Sequence, residues 1–426
     1  MNNQNQINIP YGKGNIPFDV DPSLANWHII KPKFQEAVLN PEEVFQTACN
    51  SPIGCQPLKE IIKPDDRVVI VTSDGTRSVP NQTLILMIIR MLQVPNENIT
   101  ILLGNGTHRR NTPTEIEEMF GVELANTLRI VNHDAFDTRQ NQLVGKTASK
   151  GSVYVNKLYL QANKRIVLGF IEPHFFAGFS GGAKGIIPGI AGIETILHLH
   201  RAELIAHPKS TWGEVVNNPI QNEIAETIKM CPPDFLVNVT LNSEKQIIGF
   251  YVGNYSDAHT QGCAQVKESS MIPVTHKFPI VITSNSGYPL DQNLYQTVKG
   301  ISAAARIVEQ GGIIFVASEC ADGIPSNGNF AQIMMQGSSP DDVLHWILNQ
   351  RTPVLDQWQG QILASILKKT GVAIYSSIPS DTIKTLKLTP IDNLQTAVTD
   401  RIRSLGSRVD VAIIPDGPLT IASVQS

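Results

Sequence analysis

Unbroken runs of Val, Ile and Leu, each ending in a Gly-rich or polar turn, constrain this chain more than any other feature. Arg67–Thr72 leads into Ser73-Asp74-Gly75-Thr76-Arg77, and Ile99–Leu103 into Gly104-Asn105-Gly106-Thr107-His108. Arg165–Ile171 leads into Glu172-Pro173-His174, and Pro279–Thr283 into Ser284–Tyr288. Gly312–Ala317, Val372–Tyr375 and Val409–Ile414 are runs of the same kind. A strand with one wet face alternates apolar and polar residues, whereas a strand apolar at every position is covered on both faces. Helical patterns lie between the runs, at Gln82–Leu92 and again before Arg306. Thr114 with Glu117 reads as a capping box opening another helix. The class is therefore α/β, with two Rossmann-like domains. A chain of 426 residues exceeds one ordinary core. The polar stretch Val266–Lys277 precedes a fresh strand, which divides the chain into 1–270 and 271–426.

Composition narrows the function classes. The net charge is -4, which gives no reason to expect nucleic acid or an anionic membrane as partner. The most apolar stretch near the N-terminus, Leu84–Leu92, is too short to span a bilayer, and Met1–Gln6 is polar, unlike a signal peptide. Five cysteines (Cys49, Cys55, Cys231, Cys263 and Cys320) include no Cys-x-x-Cys pair, which suits a reduced, cytoplasmic protein.

In open α/β sheets, ligands bind beyond the carboxyl ends of strands. Asp74 and Arg77, His108, and His174 all follow apolar runs, and Lys299 lies on the helix after another. The most distinctive stretch is Ser180-Gly181-Gly182-Ala183-Lys184-Gly185. Its small residues let backbone N–H groups approach an anion. It is not a Walker A loop, because Ala183 separates Gly from Lys and no Ser or Thr follows the Lys. Gly178-Phe179-Ser180-Gly181-Gly182 fits the hydrolase pattern Gly-x-Ser-x-Gly, but a nucleophile elbow needs its Ser directly after a strand. The residues alone leave Lys184 as a solvated loop lysine, a phosphate clamp or a covalent attachment point.

His198 and His200 fall in a helical pattern from Ile193 to Ile205. Residues two apart on a helix point in different directions. His200 joins the apolar stripe of Ile193, Ile196, Leu197 and Leu204, while His198 falls beside Arg201. An inward histidine is either a core residue or a metal ligand. His108 and His174 suit proton transfer near neutral pH, or structural hydrogen bonds in loops. Arg77, Arg109, Arg110, Lys184 and Lys299 enrich the strand ends in positive charge, which suits a carboxylate or phosphate ligand. Tyr295, Gln296 and Lys299 share one helix face.

Taken together, Asp74-Gly75-Thr76-Arg77, Gly106-Thr107-His108, Glu172-Pro173-His174, Gly181-Gly182-Ala183-Lys184-Gly185, His200 and Tyr295-Gln296-x-x-Lys299 resemble the nickel-dependent lactate racemase family. The resemblance implies two α/β domains with the site in the cleft between them. Residues 1–270 would carry the cofactor and the catalytic groups, and 271–426 would add substrate contacts. It implies a nickel-pincer nucleotide (pyridinium-3-thioamide-5-thiocarboxylic acid mononucleotide) covalently attached to Lys184, with His200 as the protein ligand to nickel. Asp74, Gly75, Thr76 and Arg77 would hold the cofactor, and the Ser180, Gly181 and Gly182 backbone would assist at its phosphate. His108 and His174 would each serve one enantiomer of a small 2-hydroxy acid while hydride passes from C2 to the cofactor and back. Arg77, Tyr295, Gln296 and Lys299 would hold the substrate, with Trp358 at the pocket wall. Enzymes that synthesise the cofactor are implied as partners. Lactate, or a close short-chain analogue, is the expected substrate. A larger 2-hydroxy acid is the alternative, and a hydrolase with a metal held by His108, His174, His198 and His200 is a further one.

Overall fold

The computed structural model describes residues 6–326, 328–406 and 408–425. The chain forms two compact units. One comprises residues 34–200 and 207–267; the other comprises the described residues of 1–33, 201–206 and 268–426. Each contains a six-stranded, mainly parallel sheet, so the fold is mixed α/β.

In the first unit the strands lie in the order Ile247–Gly253, Phe235–Leu241, Lys164–Phe170, Val68–Ser73, Ile99–Gly104, Arg129–Asn132. All neighbours are parallel except the pair Phe235–Leu241 and Ile247–Gly253. Succession runs outward in one direction from Val68–Ser73 to Arg129–Asn132, then resumes on the other side at Lys164–Phe170. The order therefore reverses between Val68–Ser73 and Lys164–Phe170. At such a reversal the loops leaving two parallel neighbours part in opposite directions and open a crevice.

The second sheet runs Thr389–Pro390, Gly371–Tyr375, Val308–Ala317, Phe278–Ser284, Asp410–Ile414, Asn26–Ile29, and every pair is parallel. Its apolar runs feed two cores. Val281, Ile314, Val316 and Ile374 pack on one face, and Ile280, Ile282, Phe315 and Ile413 on the other. Continuous Val/Ile composition is the consequence of that double coverage.

Several expectations need correction. The edge strand Asn26–Ile29 pairs with Asp410–Ile414, so residues 6–33 go with the second sheet and not with the segment up to 270. The polar stretch beginning at Val266 is helical as far as Ser270, the end of the helix Asp257–Ser270, and then forms the strand Met271–Val274. The capping box forms two residues earlier than expected, with Thr112 and Glu115 exchanging the bonds ahead of Pro113, which takes the first helical position. The helix expected over Ile193–Ile205 is interrupted. One helix covers Ile193–Leu199, a short turn covers Ala202–Ile205, and Arg201 between them is extended. Among the described residues no helix is long and apolar enough to cross a membrane.

Candidate active site

Lys164–Phe170, Val68–Ser73 and Ile99–Gly104 are adjacent strands of one sheet, and each delivers a polar loop at its carboxyl end. These loops carry His174, Asp74 with Arg77, and His108. Sequence separation disappears because parallel strands end on the same side.

Asp74 is buried, and Nδ1 of His108 lies 2.7 Å from its Oδ2. The other carboxylate oxygen accepts from the Thr76 hydroxyl at 2.6 Å and the Thr76 N–H at 3.2 Å. Burial alone would push the Asp74 carboxyl up. His108, Arg77 and the Thr76 hydroxyl more than offset this, so its pKa falls below the usual value and Asp74 stays ionised. The carboxylate therefore holds the proton of His108 on Nδ1 and puts the lone pair on Nε2. His174 is arranged the other way. Its Nδ1 accepts the backbone N–H of Ala177 at 3.2 Å, which places the proton of the neutral ring on Nε2.

Phe176 ties three further groups together. Its ring centroid lies 4.5 Å from that of His174 and 5.4 Å from that of His200, with both contacts edge-to-face. The Lys184 ammonium stands 5.7 Å above the same ring. His200, the residue at the end of its helix, donates from Nδ1 to the Ile196 carbonyl at 2.7 Å, which leaves the lone pair on Nε2. Burial lowers its pKa to about 4, the Ile196 carbonyl opposes that only in part, and the charge of Lys184 adds to it. His200 is thus a neutral imidazole at physiological pH, the form that binds metals. Burial likewise lowers the Lys184 amine to about 7, with help from Arg77 and against the pull of Glu172. An amine half-neutral at pH 7 is a nucleophile.

The glycine loop before Lys184 is shaped from beneath. Gly181 and Gly182 both have left-handed backbone, with φ of 75° and 57°. A side chain on Gly181 would meet Asn238 Oδ1 at 2.7 Å, and one on Gly182 would meet the His259 ring at 2.7 Å. Asn238 Oδ1 accepts the Gly182 N–H at 2.8 Å, and His259 Nε2 lies 2.8 Å from the Ser180 carbonyl. The Ser180 N–H bonds the Glu172 carbonyl. The N–H groups of Ser180 and Gly182, expected to face a phosphate, are therefore committed within the protein. The Ser180 hydroxyl is buried between the Glu172 N–H and the Phe170 carbonyl, 3.0 Å from each, and is no nucleophile. Arg77 is better suited to an anion, because its Nη1 is buried with no hydrogen-bond partner among the described residues.

The chain belongs to the lactate racemase family. The model of the lactate racemase N-terminal domain matches residues 11–213, and that of the C-terminal domain matches residues 274–422. The lactate racemase of Thermoanaerobacterium thermosaccharolyticum is 36% identical over 418 residues, covering 96% of this chain and 97% of that protein. The lactate racemase of Lactiplantibacillus plantarum is 34% identical over 419 residues, covering 96% and 98%. The structure of the Thermoanaerobacterium apoprotein superposes with a TM-score of 0.89 over 99% of this chain and all of that one. A Thermotoga maritima protein with 18% identity shares the fold, with a TM-score of 0.71, over 92% of this chain and 100% of that chain. The protein is accordingly an isomerase of the racemase type.

For a member of the racemase family, the second unit carries its own polar cluster. Gln296 and Lys299 are buried on the helix Leu294–Ala304, with Lys299 Nζ donating to Gln296 Oε1 at 2.6 Å. The Tyr295 hydroxyl accepts from the indole N–H of buried Trp358 at 2.7 Å. His198 keeps apart from His200. Its Nε2 lies 2.7 Å from the Ser149 hydroxyl and 3.8 Å from Glu223. Among the described residues, no three of His108, His174, His198 and His200 place ligand atoms within reach of one metal ion. Gly75 sits where a side chain would meet Asn111 at 2.8 Å.

Three residues of this site escaped the sequence reading. Phe176 lies inside the run from His174 to Lys184 and passed as ordinary apolar filling. Asn238 is a buried amide in the otherwise largely apolar strand Phe235–Leu241, a signal that was available. His259 lies in a polar helix without clear periodicity and offered none.

Proposed function

We propose that the protein interconverts D- and L-lactate, or a close short-chain 2-hydroxy acid. The observation that carries this reading is the opposed hydrogen bonding of the His108 and His174 Nδ1 atoms, one facing a carboxylate and the other accepting an N–H. One presents a basic nitrogen and the other an N–H. A racemase must remove a hydroxyl proton and return it after C2 has inverted, so a base and a hydrogen-bond donor at the same oxygen suit the reaction. In one direction His108 Nε2 takes the hydroxyl proton while the His174 N–H faces the forming keto oxygen. On the return step the Nε2–H of His108 gives that proton back to the oxygen, with the His174 N–H again hydrogen-bonded to it, so the proton balance closes on His108.

The donor set fits a lysine-linked nickel-pincer nucleotide. Lys184, with its lowered pKa, would be the covalent anchor, and His200 Nε2 the protein ligand to nickel. Arg77, with its unpartnered Nη1, would meet an anionic group. When bound, this group supplies a reversible hydride acceptor for C2 of the substrate. The chain's own contribution is to hold the carboxylate, for which we assign Arg77, Tyr295, Gln296 and Lys299, and to keep the two imidazoles in opposite tautomers. We take Asp74 and Thr76 as supports of His108 more than as cofactor contacts, with Gly75 giving the turn room. We place the protein in the cytoplasm, where its five unpaired thiols stay reduced and the cofactor-synthesis enzymes act as partners.

Chiral chromatography of lactate and longer 2-hydroxy acids, with protein co-expressed with cofactor-synthesis enzymes, tests this reading. Intact mass reports the adduct at the same time. An adduct on Lys184 without interconversion of lactate would overturn the substrate assignment, and interconversion by protein lacking any adduct would overturn the cofactor.

A further inference from the structure

His28, His276 and Asp410 come from three distant segments of the second unit and meet at one point. His28 is on the edge strand Asn26–Ile29, and Asp410 opens the neighbouring strand. His276 is in the turn between Met271–Val274 and Phe278–Ser284. One ligand atom from each lies within 4.8 Å of the others. His28 Nε2 is 2.9 Å from Asp410 Oδ1, and His276 Nε2 is 3.8 Å from Asp410 Oδ2. We propose that these three side chains form a divalent-metal site of the zinc class, separate from the racemase site.

The state of His276 is the second observation. Its Nε2 is buried and lacks a hydrogen-bond partner among the described residues, while its Nδ1 lies 2.9 Å from the Thr275 hydroxyl. A metal-binding histidine is characteristically held by a hydrogen bond at its other nitrogen, which fixes the tautomer and aims the lone pair. A buried ring nitrogen left without a partner is costly, and a cation removes that cost. The rings are also held in place. His28 and His276 meet edge-on with centroids 5.6 Å apart, and Phe278 packs against both at 5.0 and 4.6 Å.

Ligand bonds of about 2.0–2.1 Å in a tetrahedron put neighbouring donor atoms roughly 3.3–3.4 Å apart. The two ring nitrogens lie 2.9 and 3.8 Å from different oxygens of the Asp410 carboxylate, and one ligand atom from each residue lies within 4.8 Å of the others, so the three donors draw together on an ion. Two imidazoles and one carboxylate select borderline ions such as zinc or nickel over magnesium or calcium. Each of the three side chains is about 40% exposed (39%, 43% and 40%), which leaves a path for the ion and a fourth position for water. An ion here would clip the edge strand Asn26–Ile29 to two segments more than two hundred residues away.

The test uses metal-free, full-length protein carrying His200→Ala, which removes the other candidate ligand. Titration calorimetry with zinc sulfate is expected to show one equivalent bound, with a rise in melting temperature. Adding His276→Gln or Asp410→Asn is expected to weaken binding at least tenfold and abolish that rise. Melting curves without metal establish that these partly exposed substitutions leave the fold intact. Zinc absorption spectroscopy of the His200→Ala protein gives a second measurement, expected to show two imidazoles. Absence of binding to His200→Ala protein, or unchanged affinity in the His276→Gln and Asp410→Asn variants, overturns the proposal.

Discussion

The Asp74 carboxylate and the His108 imidazole face each other across 2.7 Å, with Asp74 buried and His108 partly exposed. Replacing Asp74 with Asn keeps the shape and removes the charge that favours the Nδ1 proton. A comparable loss of tautomer control in hydrolytic triads costs on the order of 10⁴-fold in turnover. We expect Asp74→Asn to lower kcat by roughly 10²–10⁴-fold. Because the enantiomers have equal free energy, kcat/KM must fall equally in both directions. Chiral assays of both directions check this, and wild-type turnover would rule out the dyad.

Lys184 should titrate near neutrality. With its amine lowered to about 7, the neutral form grows as pH rises through 7. Competitive acylation followed by peptide mass spectrometry of cofactor-free protein should give a Lys184 midpoint near that value and far higher midpoints for surface lysines. The same shift affects stability. Between pH 7 and the ordinary value of 10.5, the unfolded chain binds the extra proton, so stability gains from this group as pH rises through that window. Lys184→Met should therefore stabilise the cofactor-free protein most at or below pH 7, with the gain shrinking above it. A gain that grows with pH would contradict the assignment.

Phe176 positions His174, His200 and Lys184 through one ring. Phe176→Ala removes those contacts and should cost about 3–5 kcal/mol of stability as a buried aromatic. Phe176→Leu keeps most of the volume, so we expect it to fold and to lose turnover with little change in KM. Steady-state kinetics on the Leu variant separate the two, and unchanged kcat would remove Phe176 from the site.

The glycine loop admits no side chain at Gly181 or Gly182. Gly182→Ala must move either the loop or the His259 ring, and it also carries the left-handed backbone, worth about 1–2 kcal/mol. The double variant Gly182→Ala/His259→Ala relieves the clash but not the backbone. Its melting temperature should exceed that of Gly182→Ala alone. If it does not, His259 is not the obstacle.

Legibility of the sequence followed physical lines. The apolar runs ending at Thr72, Leu103, Ile171, Thr283, Ala317, Tyr375 and Ile414 each end within a residue of the end of a strand, because double coverage leaves an unambiguous trace. The short edge strand Asn26–Ile29, with its exposed and half-buried residues, carries no such trace. The break after Leu199 was invisible too, since no Gly or Pro marks it. At the site, charged and titratable residues at strand ends stood out, whereas Phe176 and Asn238 work through contacts that composition does not express. That the Ser180 and Gly182 N–H groups are committed within the protein was not legible, because sequence shows a donor but not what it already bonds.

The pairing of Asn26–Ile29 with Asp410–Ile414 also sets a schedule. His28 precedes Asp410 by 382 residues. At roughly 5–20 residues per second, a ribosome needs on the order of twenty to seventy seconds to deliver the partner strand. During that interval residues 34–200 and 207–267 can complete their own sheet, while the strand Asn26–Ile29 of the other unit waits for the strand it pairs with. The strand Asn26–Ile29 is thus among the last to settle into its sheet.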